Sequence, residues 1–250
     1  MCRHLAYLGP PLCLADPVLD RPHSLLAQSW APRDMRGGGT VNADGFGVGW
    51  YPDDEKEPLR YRQACSIWAD PGFDQLARGV TGTALLAAVR SATPGMPVTE
   101  LACAPFADDG LLFSHNGLIA GWPHSVATIA ERLSVVELLT MAAPTDSALL
   151  WQLVRARLAE GQDMADAVAG VATEVGEAAP GSRLNLLLTD GRTIVATTWT
   201  HALAVRQDPG AVLVASEPLD DDGWTVLPDR SLVVANRDGV DVRPLTKGTA

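Results

Sequence analysis

The order of apolar patterns along this chain constrains its fold more than any other feature. Strand-like patterns come first, helical patterns fill the middle, and strand-like patterns return after Ser182. This order indicates sheets packed on one another and covered by helices in a single α/β-type unit, rather than alternating β-α-β crossovers. Strands are predicted at 3–9, 42–51, 83–89, 111–119, 184–188, 193–199, 211–215 and 231–235, and helices at 125–133, 146–158 and 164–175.

Two features refine this pattern. Pro10 and Pro11 are expected to end the first strand, because proline cannot donate to a sheet ladder. Gly45, Gly47 and Gly49 recur at every second position of the second strand, so one face of it is bare. We expect another segment to pack close to the backbone there. The spacing differs from G-x-G-x-x-G and no helix start follows it, which argues against a dinucleotide loop.

The acidic charge balance excludes several classes of partner. The 250 residues carry 19 Lys and Arg against 30 Asp and Glu, a formal net charge of −11. Nucleic acids and anionic membranes are bound through clustered Lys and Arg, so neither is an expected partner. No apolar run approaches the roughly 18–20 residues that span a bilayer, and no export signal is evident. We therefore expect a cytoplasmic protein, with the acidic run at 53–57 forming a solvated loop.

The four cysteines are expected to be reduced thiols. They are widely and irregularly spaced, and a chain of this length does not need disulfides to stabilise a core. No tight group of metal ligands occurs, so neither a metal nor another cofactor is predicted. The cysteines are Cys2, Cys13, Cys65 and Cys103.

Cys2 differs from the other cysteines because it can become the first residue of the mature chain. Methionine aminopeptidases remove Met1 before small residues, which would leave Cys2 with both a thiol and a free α-amino group. The pKa of an α-amine is about 7.7–8.0 and that of a thiol about 8.5. Near neutral pH the amine can therefore act as general base toward the thiol, directly or through a water. Cysteine at this position can also occur by chance, so the other motifs of the chain decide between a catalytic cysteine and a chance one.

Asn116 and Gly117 are candidate oxyanion donors. A thiolate that attacks an amide carbonyl creates an oxyanion, which a side-chain amide and a backbone N–H commonly stabilise. Both groups are available at the end of the apolar run 111–119. The alternative is a hairpin, since Asn-Gly is the strongest two-residue turn signal. The residues alone leave these two interpretations open.

Arg90 and Asp146 have the charges that would recognise the two ends of an amino acid. Arg90 emerges from the buried strand 83–89, where an unpaired guanidinium is costly, so its partner is an internal carboxylate or the α-carboxylate of a substrate. Asp146 is explained either as the N-cap of a helix or as the counter-charge of a substrate α-ammonium group. Both alternatives stay open for each residue.

Taken together, these residues resemble the class II glutamine amidotransferase domain of the N-terminal nucleophile hydrolases, over essentially the whole chain. Five motifs follow one another in the order of that family. Met1-Cys2 resembles its nucleophile, 42–47 (NADGFG) its early Gly-rich motif, 90–95 (RSATPG) its R-W-A-T-H-G segment, 115–117 (HNG) its oxyanion motif, and 145–147 (TDS) its T-D-S/T step.

The resemblance implies a fold and a set of roles. The fold is an α+β, four-layer αββα sandwich of two antiparallel sheets between helical layers, formed by one domain over 1–250. Cys2 would be the nucleophile, with its own amine as base, and Asn116 and Gly117 the oxyanion donors. Arg90 and Thr93 would hold the glutamyl α-carboxylate and Asp146 the α-amino group. The motifs also make Ser91 and His115 substrate-binding candidates.

The chain departs from the family pattern at two positions. Ser91 replaces the aromatic residue and Pro94 the histidine of R-W-A-T-H-G. We therefore expect a reshaped glutamyl pocket or closing loop, which loosens the inference that free glutamine is the substrate.

One branch of the family is most similar, judged by 1–10, 28–35 and 39–50. It comprises the amidohydrolases of ergothioneine biosynthesis, which remove the γ-glutamyl group from γ-glutamyl-hercynylcysteine sulfoxide. The family-like region uses nearly the whole length, and a synthase domain would need about 100 residues more. We therefore expect water rather than a second domain to accept the acyl group. The alternatives are a glutaminase subunit that serves a separate synthase, and a non-catalytic binding relative.

Overall fold

The computed structural model describes residues 2–36, 41–52 and 57–245, which form two antiparallel sheets and flanking helices. Met1, the glycines at 37–39 and most of the acidic run at 53–57 lie outside the described residues. The strands are β1 (Arg3–Cys13), β2 (Phe46–Tyr51), β3 (Leu59–Gln63), β4 (Thr81–Val89), β5 (Phe106–Asp108), β6 (Leu111–Leu118), β7 (Arg183–Thr189), β8 (Ile194–Thr197), β9 (Ala204–Asp208), β10 (Ala211–Ala215), β11 (Trp224–Val226), β12 (Ser231–Ala235) and β13 (Val240–Pro244). The helices are α1 (Leu25–Trp30), α2 (Phe73–Gly79), α3 (Ala127–Ala130), α4 (Val135–Leu139), α5 (Asp146–Ala159) and α6 (Met164–Ala178).

The first sheet has seven strands in the order β11-β9-β10-β1-β4-β2-β3, and the second has six in the order β13-β12-β8-β7-β6-β5. Every strand pair in both sheets is antiparallel. The strand that begins just after Cys2 is therefore central, with β4 on one side and β10 on the other.

Three apolar cores separate four layers. Ala6 and Leu8 of β1 pack between the sheets with residues of the second sheet such as Leu112. Helices α1 and α2 cover the outer face of the first sheet, where Leu25 and Phe73 join its core. Helices α5 and α6 cover the outer face of the second. The predicted four-layer αββα sandwich is confirmed. No helix in the described parts of the chain has the length and apolarity needed to cross a membrane.

Other segments pack close against the bare face of β2, as the alternating glycines predict. A Cβ on Gly47 would lie 2.4 Å from the carbonyl oxygen of Ala104, and one on Gly49 would lie 2.7 Å from the side chain of Leu112 in the facing sheet. The expected end of the first strand at Pro10 is wrong, because β1 continues to Cys13. The ladder to β4 shifts register between Leu8 and Leu12, and both prolines lie within this irregularity, where strands tolerate proline.

Candidate active site

The ends of several strands meet at one edge of the sandwich. β1 begins there, β4 ends there and β2 begins there, since Val89 is opposite both Arg3 and Phe46. On the other side of β1, β10 ends at Ala215, which pairs with Leu5. In the second sheet β6 ends and β7 begins at the same edge, since Leu118 is opposite Arg183.

Cys2 lies at the head of β1, beside the segment that leaves β4. Its side chain is half-buried, and Sγ is 3.9 Å from the carbonyl oxygen of Ser91. His4 and Ala6 face the second sheet, and the same alternation, continued from the start of β1, predicts that Cys2 faces it too. His4 Nδ1 lies 2.8 Å from Ser114 Oγ of β6, which ties this part of β1 to the facing sheet.

The other cysteines are also free thiols. Cys103 is fully buried, and its sulfur donates to the carbonyls of Gln63 and Thr99. Burial raises the pKa of Cys103 to about 11, which leaves it protonated at neutral pH. Among the described residues no three His, Cys, Asp or Glu side chains are grouped closely enough to hold a metal ion.

Arg90 comes directly after β4 and is fixed through its backbone. Its N–H donates to the carbonyl of Gly45 (2.8 Å) and its carbonyl accepts from the N–H of Asp44 (3.0 Å). The Asp44 carboxylate accepts from the N–H of Ala92 (2.8 Å), which holds the segment beyond Arg90. Guanidinium Nη1 is buried and has no hydrogen-bond partner among the described residues. The internal carboxylate that we considered for Arg90 is therefore not found, and an anionic ligand would satisfy this group.

The departures from the family pattern lie next to this segment. Ser91 presents its carbonyl to Cys2. Thr93 is half-buried, and its carbonyl accepts from the N–H of Met96 (2.9 Å) in a turn where Gly95 has φ +89°. Pro94 is exposed in that turn. The replacement of histidine by proline therefore lies at a solvent-exposed position of the turn.

Asn116 and Gly117 lie inside β6, where they pair with Asn185 and Leu184 of β7. The hairpin alternative is therefore wrong. Asn116 faces the first sheet, because its Nδ2 donates to Ser216 Oγ (3.2 Å) at the end of β10. Its amide is thus joined to the strand that carries Cys2, since Ser216 is bonded to His4.

Gly117 has no room for a side chain. A Cβ added there would lie 1.8 Å from the carbonyl oxygen of Arg183, so β7 would have to move. We expect Gly117→Ala to lower the free energy of unfolding by about 1–3 kcal/mol or more and to displace the neighbouring amide of Asn116. Urea unfolding and activity measure the two effects. Gly79→Ala is the control, because a Cβ on Gly79 meets no heavy atom within 4 Å. Wild-type stability and activity in Gly117→Ala would contradict the close contact.

Asp146 is the first residue of α5, and Thr145 is the N-cap, whose hydroxyl accepts from the N–H of Ala148 (3.2 Å). The N-cap explanation for Asp146 is therefore wrong. Its carboxylate is only 4% exposed and accepts from the N–H groups of Ile119 (3.0 Å) and Ser147 (2.8 Å). It makes no ion pair among the described residues; Oδ1 also lies 3.4 Å from Ser147 Oγ, whereas Oδ2 accepts one bond and keeps a free lone pair. Its partner Ile119 directly follows β6 and is three residues after Asn116.

His115 points the other way, toward the helical layer. Its Nδ1 lies 3.0 Å from Ser147 Oγ and its Nε2 lies 2.8 Å from the carbonyl oxygen of Arg183. Burial lowers the pKa of His115, so the ring is neutral. Both ring nitrogens are engaged within the protein, which leaves none for a ligand. The structure thus gives no free ring nitrogen for the substrate contact expected of His115.

The sequence did not indicate a buried ion pair that supports this edge. Arg3 Nε donates to Glu217 Oε1 (3.0 Å), and both side chains are 3% exposed. Glu217 also accepts from the N–H groups of Arg33 (2.7 Å) and Asp34 (3.2 Å), while Arg3 Nη1 donates to the carbonyl of Cys2 (3.1 Å). The pair thus joins Cys2 to the loop at 33–34. Two residues 214 positions apart give no local pattern that would reveal it.

Two further buried histidines make stability sensitive to acid. Burial lowers the pKa of both His4 and His201 to about 3, against about 6.5 in an unfolded chain. The unfolded state therefore binds more protons below pH 6.5, and stability falls as the pH drops through the window from 6.5 to 3. Each histidine is expected to lower the free energy of unfolding by about 1.4 kcal/mol for every pH unit of acidification inside that window.

Urea unfolding at pH 7.0, 6.0 and 5.0 measures this slope above the range in which most carboxylates titrate. His201→Gln should reduce it by about 1.4 kcal/mol per pH unit, whereas the control His124→Gln, at an exposed histidine, should leave it unchanged. An unaltered slope in His201→Gln would contradict a neutral buried ring at that position.

Comparison with known proteins gives relatives that match nearly the whole chain. The family model of class II glutamine amidotransferases matches residues 22–211. The chain is 43% identical to a γ-glutamyl-hercynylcysteine sulfoxide hydrolase of Mycolicibacterium smegmatis, over 98% of this chain and 100% of that protein. Its fold is similar to a glutamine aminotransferase class-II domain protein from Silicibacter pomeroyi (TM-score 0.68, 24% identity, 98% and 99% of the chains). It is also similar to a B. subtilis glutamine phosphoribosylpyrophosphate amidotransferase (TM-score 0.64, 14% identity, 98% and 50%).

Proposed function

This chain belongs to the class II glutamine amidotransferases, and from that premise we propose that it hydrolyses γ-glutamyl-hercynylcysteine sulfoxide to glutamate and hercynylcysteine sulfoxide, a step of ergothioneine biosynthesis. One domain over 1–250 carries out this reaction, with a small-molecule substrate. The observation that carries the proposal is the buried Nη1 of Arg90, which has no hydrogen-bond partner in the described chain and belongs to the residue before Ser91, whose carbonyl faces Cys2 Sγ.

Arg90 and Asp146 bind the two ends of the glutamyl group. The guanidinium takes the α-carboxylate in a bidentate pair, which Thr93 supports from the same segment. Oδ2 of Asp146 has a free lone pair and takes the α-ammonium group. A partly buried cation and a buried anion that have no ion-pair partners in the described chain are costly unless a ligand of opposite charges pairs with them. A zwitterionic amino acid meets both requirements.

Cys2 performs the covalent chemistry once Met1 has been removed. Its α-amine accepts the thiol proton, Sγ attacks the γ-carbonyl carbon, and the amine returns the proton to the leaving nitrogen. The C–N bond breaks and a γ-glutamyl thioester remains on Cys2. Water then attacks the thioester, which releases glutamate and restores the thiol. Ser91, whose carbonyl is beside Sγ, helps to position the nucleophile.

Asn116 and Gly117 stabilise the oxyanion of both tetrahedral intermediates. Asn116 Nδ2 has two hydrogens, and only one is used in its bond to Ser216 Oγ. The second hydrogen and the backbone N–H of Gly117 donate to the oxyanion. Donors that are fixed before the reaction stabilise the transition state more than mobile donors do, because no reorganisation is needed when the charge develops.

The identity of the proposed leaving group rests on the names of the relatives. The M. smegmatis protein named a γ-glutamyl-hercynylcysteine sulfoxide hydrolase is matched along its whole length at 43% identity. A second protein with that name, from Mycobacterium tuberculosis, is 38% identical over 99% of this chain. Acyl transfer to water is what those names describe, so hydrolysis is preferred over ammonia supply to a synthase.

A product assay on a panel of γ-glutamyl amides tests the proposal. The panel is γ-glutamyl-hercynylcysteine sulfoxide, the same compound without the sulfoxide oxygen, γ-glutamyl-cysteine and free glutamine. We expect glutamate and an equimolar amount of hercynylcysteine sulfoxide from the first, with kcat/KM at least about 100-fold above that for glutamine, a difference of about 2.7 kcal/mol. Glutamine as the best substrate would instead identify a glutaminase, and no turnover of any amide would identify a binding protein.

A further inference from the structure

The hydroxyl of Ser216 makes three hydrogen bonds that join the two sheets at the candidate site. It accepts from the backbone N–H of His4 (2.9 Å) and from Asn116 Nδ2 (3.2 Å), and it donates to the carbonyl of His4 (3.1 Å). Ser216 is 2% exposed. A hydroxyl has one proton and two lone pairs, so these three bonds use its full capacity.

We infer that Ser216 is a positioning residue for catalysis. Its hydroxyl orients the Asn116 carboxamide so that the second Nδ2 hydrogen is aimed at the oxyanion that forms when Cys2 attacks the substrate carbonyl. The inference rests on the proposed function, because it assumes that Asn116 is an oxyanion donor.

The direction of the bonds fixes the orientation of the amide. The one proton of Ser216 Oγ goes to the His4 carbonyl, so Asn116 must turn its NH2 group, and not its oxygen, toward Ser216. Asn116 Oδ1 is buried and has no partner among the described residues, so nothing else on that side holds the amide in place. Loss of the Ser216 hydroxyl would leave the carboxamide free to rotate.

The same hydroxyl sets the spacing between the oxyanion donor and the nucleophile. His4 is two residues after Cys2, and Ser216 holds both its N–H and its carbonyl. The last rung of the β1–β10 ladder, from Ser216 N–H to the His4 carbonyl (2.9 Å), does not need the side chain. Removal of the hydroxyl should therefore leave the fold in place and disturb the amide of Asn116.

The test is a double-mutant cycle on the full chain, with γ-glutamyl-hercynylcysteine sulfoxide as substrate. We expect Ser216→Ala to lower kcat about 10- to 100-fold with KM within about threefold, less than the roughly 10²–10³ that loss of an oxyanion donor costs. In the Asn116→Ala background the same change should lower kcat by less than about twofold, because the group through which Ser216 acts is already absent. An independent, purely structural effect of Ser216 would multiply in both backgrounds and overturn the inference.

Alkylation of Cys2 by iodoacetamide, followed by mass spectrometry of the Cys2 peptide, provides a readout without an oxyanion. Its rate should be within about twofold of wild type in Ser216→Ala, whereas a tenfold change would show that the nucleophile itself had moved and would overturn the inference. The matched control is Ser231→Ala, since Ser231 is also buried and donates to a backbone carbonyl, that of Pro228. Its kcat should be unchanged, and a loss equal to that of Ser216→Ala would contradict a specific role.

The two proposals fail separately. Undiminished hydrolysis in Cys2→Ala would remove the proposed function. Loss of activity in Cys2→Ala and Asn116→Ala together with wild-type kcat in Ser216→Ala would remove only the inference about Ser216.

Discussion

Cys2→Ala is expected to lower the rate of amide hydrolysis by about 10⁴-fold or more, the order of loss seen when the nucleophile of a covalent mechanism is removed. The physical reason is that water alone must then attack an amide carbonyl, since the thioester route is closed. Cys2 is half-buried, and its thiol makes one long contact, to the Ser91 carbonyl, so the fold should survive its removal. Continuous measurement of glutamate release and a thermal melt record the two quantities.

Cys65→Ala is the matched control, because Cys65 is also a half-buried free thiol. Its activity should stay near that of the wild type. Binding of substrate to Cys2→Ala, followed by calorimetry, should be within about threefold of the wild-type affinity, since Arg90 and Asp146 remain. Turnover by Cys2→Ala within tenfold of the wild-type rate would exclude Cys2 as the nucleophile.

The free α-amine has a separate test. Intact-mass measurement of the active protein should show the loss of one methionine, and N-terminal acetylation in vitro should abolish turnover while the thiol is left unmodified. Full activity in protein that retains Met1 would contradict the role of the amine as base, although Cys2 could still act with another base.

The layers of the fold were predictable because long runs carry periodic patterns. β4 and β6 are buried over most of their length, and α5 and α6 have 14 and 15 residues, so each of these runs is long enough to be recognised. The short helices α1 and α2 were missed, since six and seven residues give too few turns for a period to be recognised. The predicted helix at 125–133 contains only α3, with four residues.

In the candidate site, local motifs could be predicted from the sequence, whereas contacts between distant residues could not. Motifs name residues, but they do not say which way a side chain points. His115 and Asn116 are adjacent, yet alternation along β6 sends one toward α5 and the other toward the first sheet. Ser216 acquires its contacts only through β10, which lies more than 200 residues after Cys2 in the chain. No local pattern encodes that neighbourhood.

Arg90→Met is expected to lower kcat/KM by about 2–5 kcal/mol, roughly 30- to 5,000-fold, the cost of leaving one member of a buried ion pair without its partner. Arg90→Lys keeps the charge but loses the bidentate fork, so we expect a loss of about 10- to 100-fold. The measurement is kcat/KM for γ-glutamyl-hercynylcysteine sulfoxide in each variant. Arg206→Lys is the control, since Arg206 pairs within the protein with Asp208 and Asp220.

A change in the substrate shows whether this loss belongs to the α-carboxylate. A 4-aminobutyryl amide retains the amino group and the scissile bond but lacks the carboxylate that Arg90 binds. Wild type should hydrolyse it poorly, and Arg90→Met should lose less than about threefold further, because the charge pair is already absent on the substrate side. A full 30-fold loss on this substrate would mean that Arg90 acts on the fold or on Cys2 rather than on the glutamyl group. Equal kcat/KM for Arg90→Met and wild type on the natural amide would remove Arg90 from recognition. The buried Nη1, which lacks a partner among the described residues, would then have to be satisfied by water.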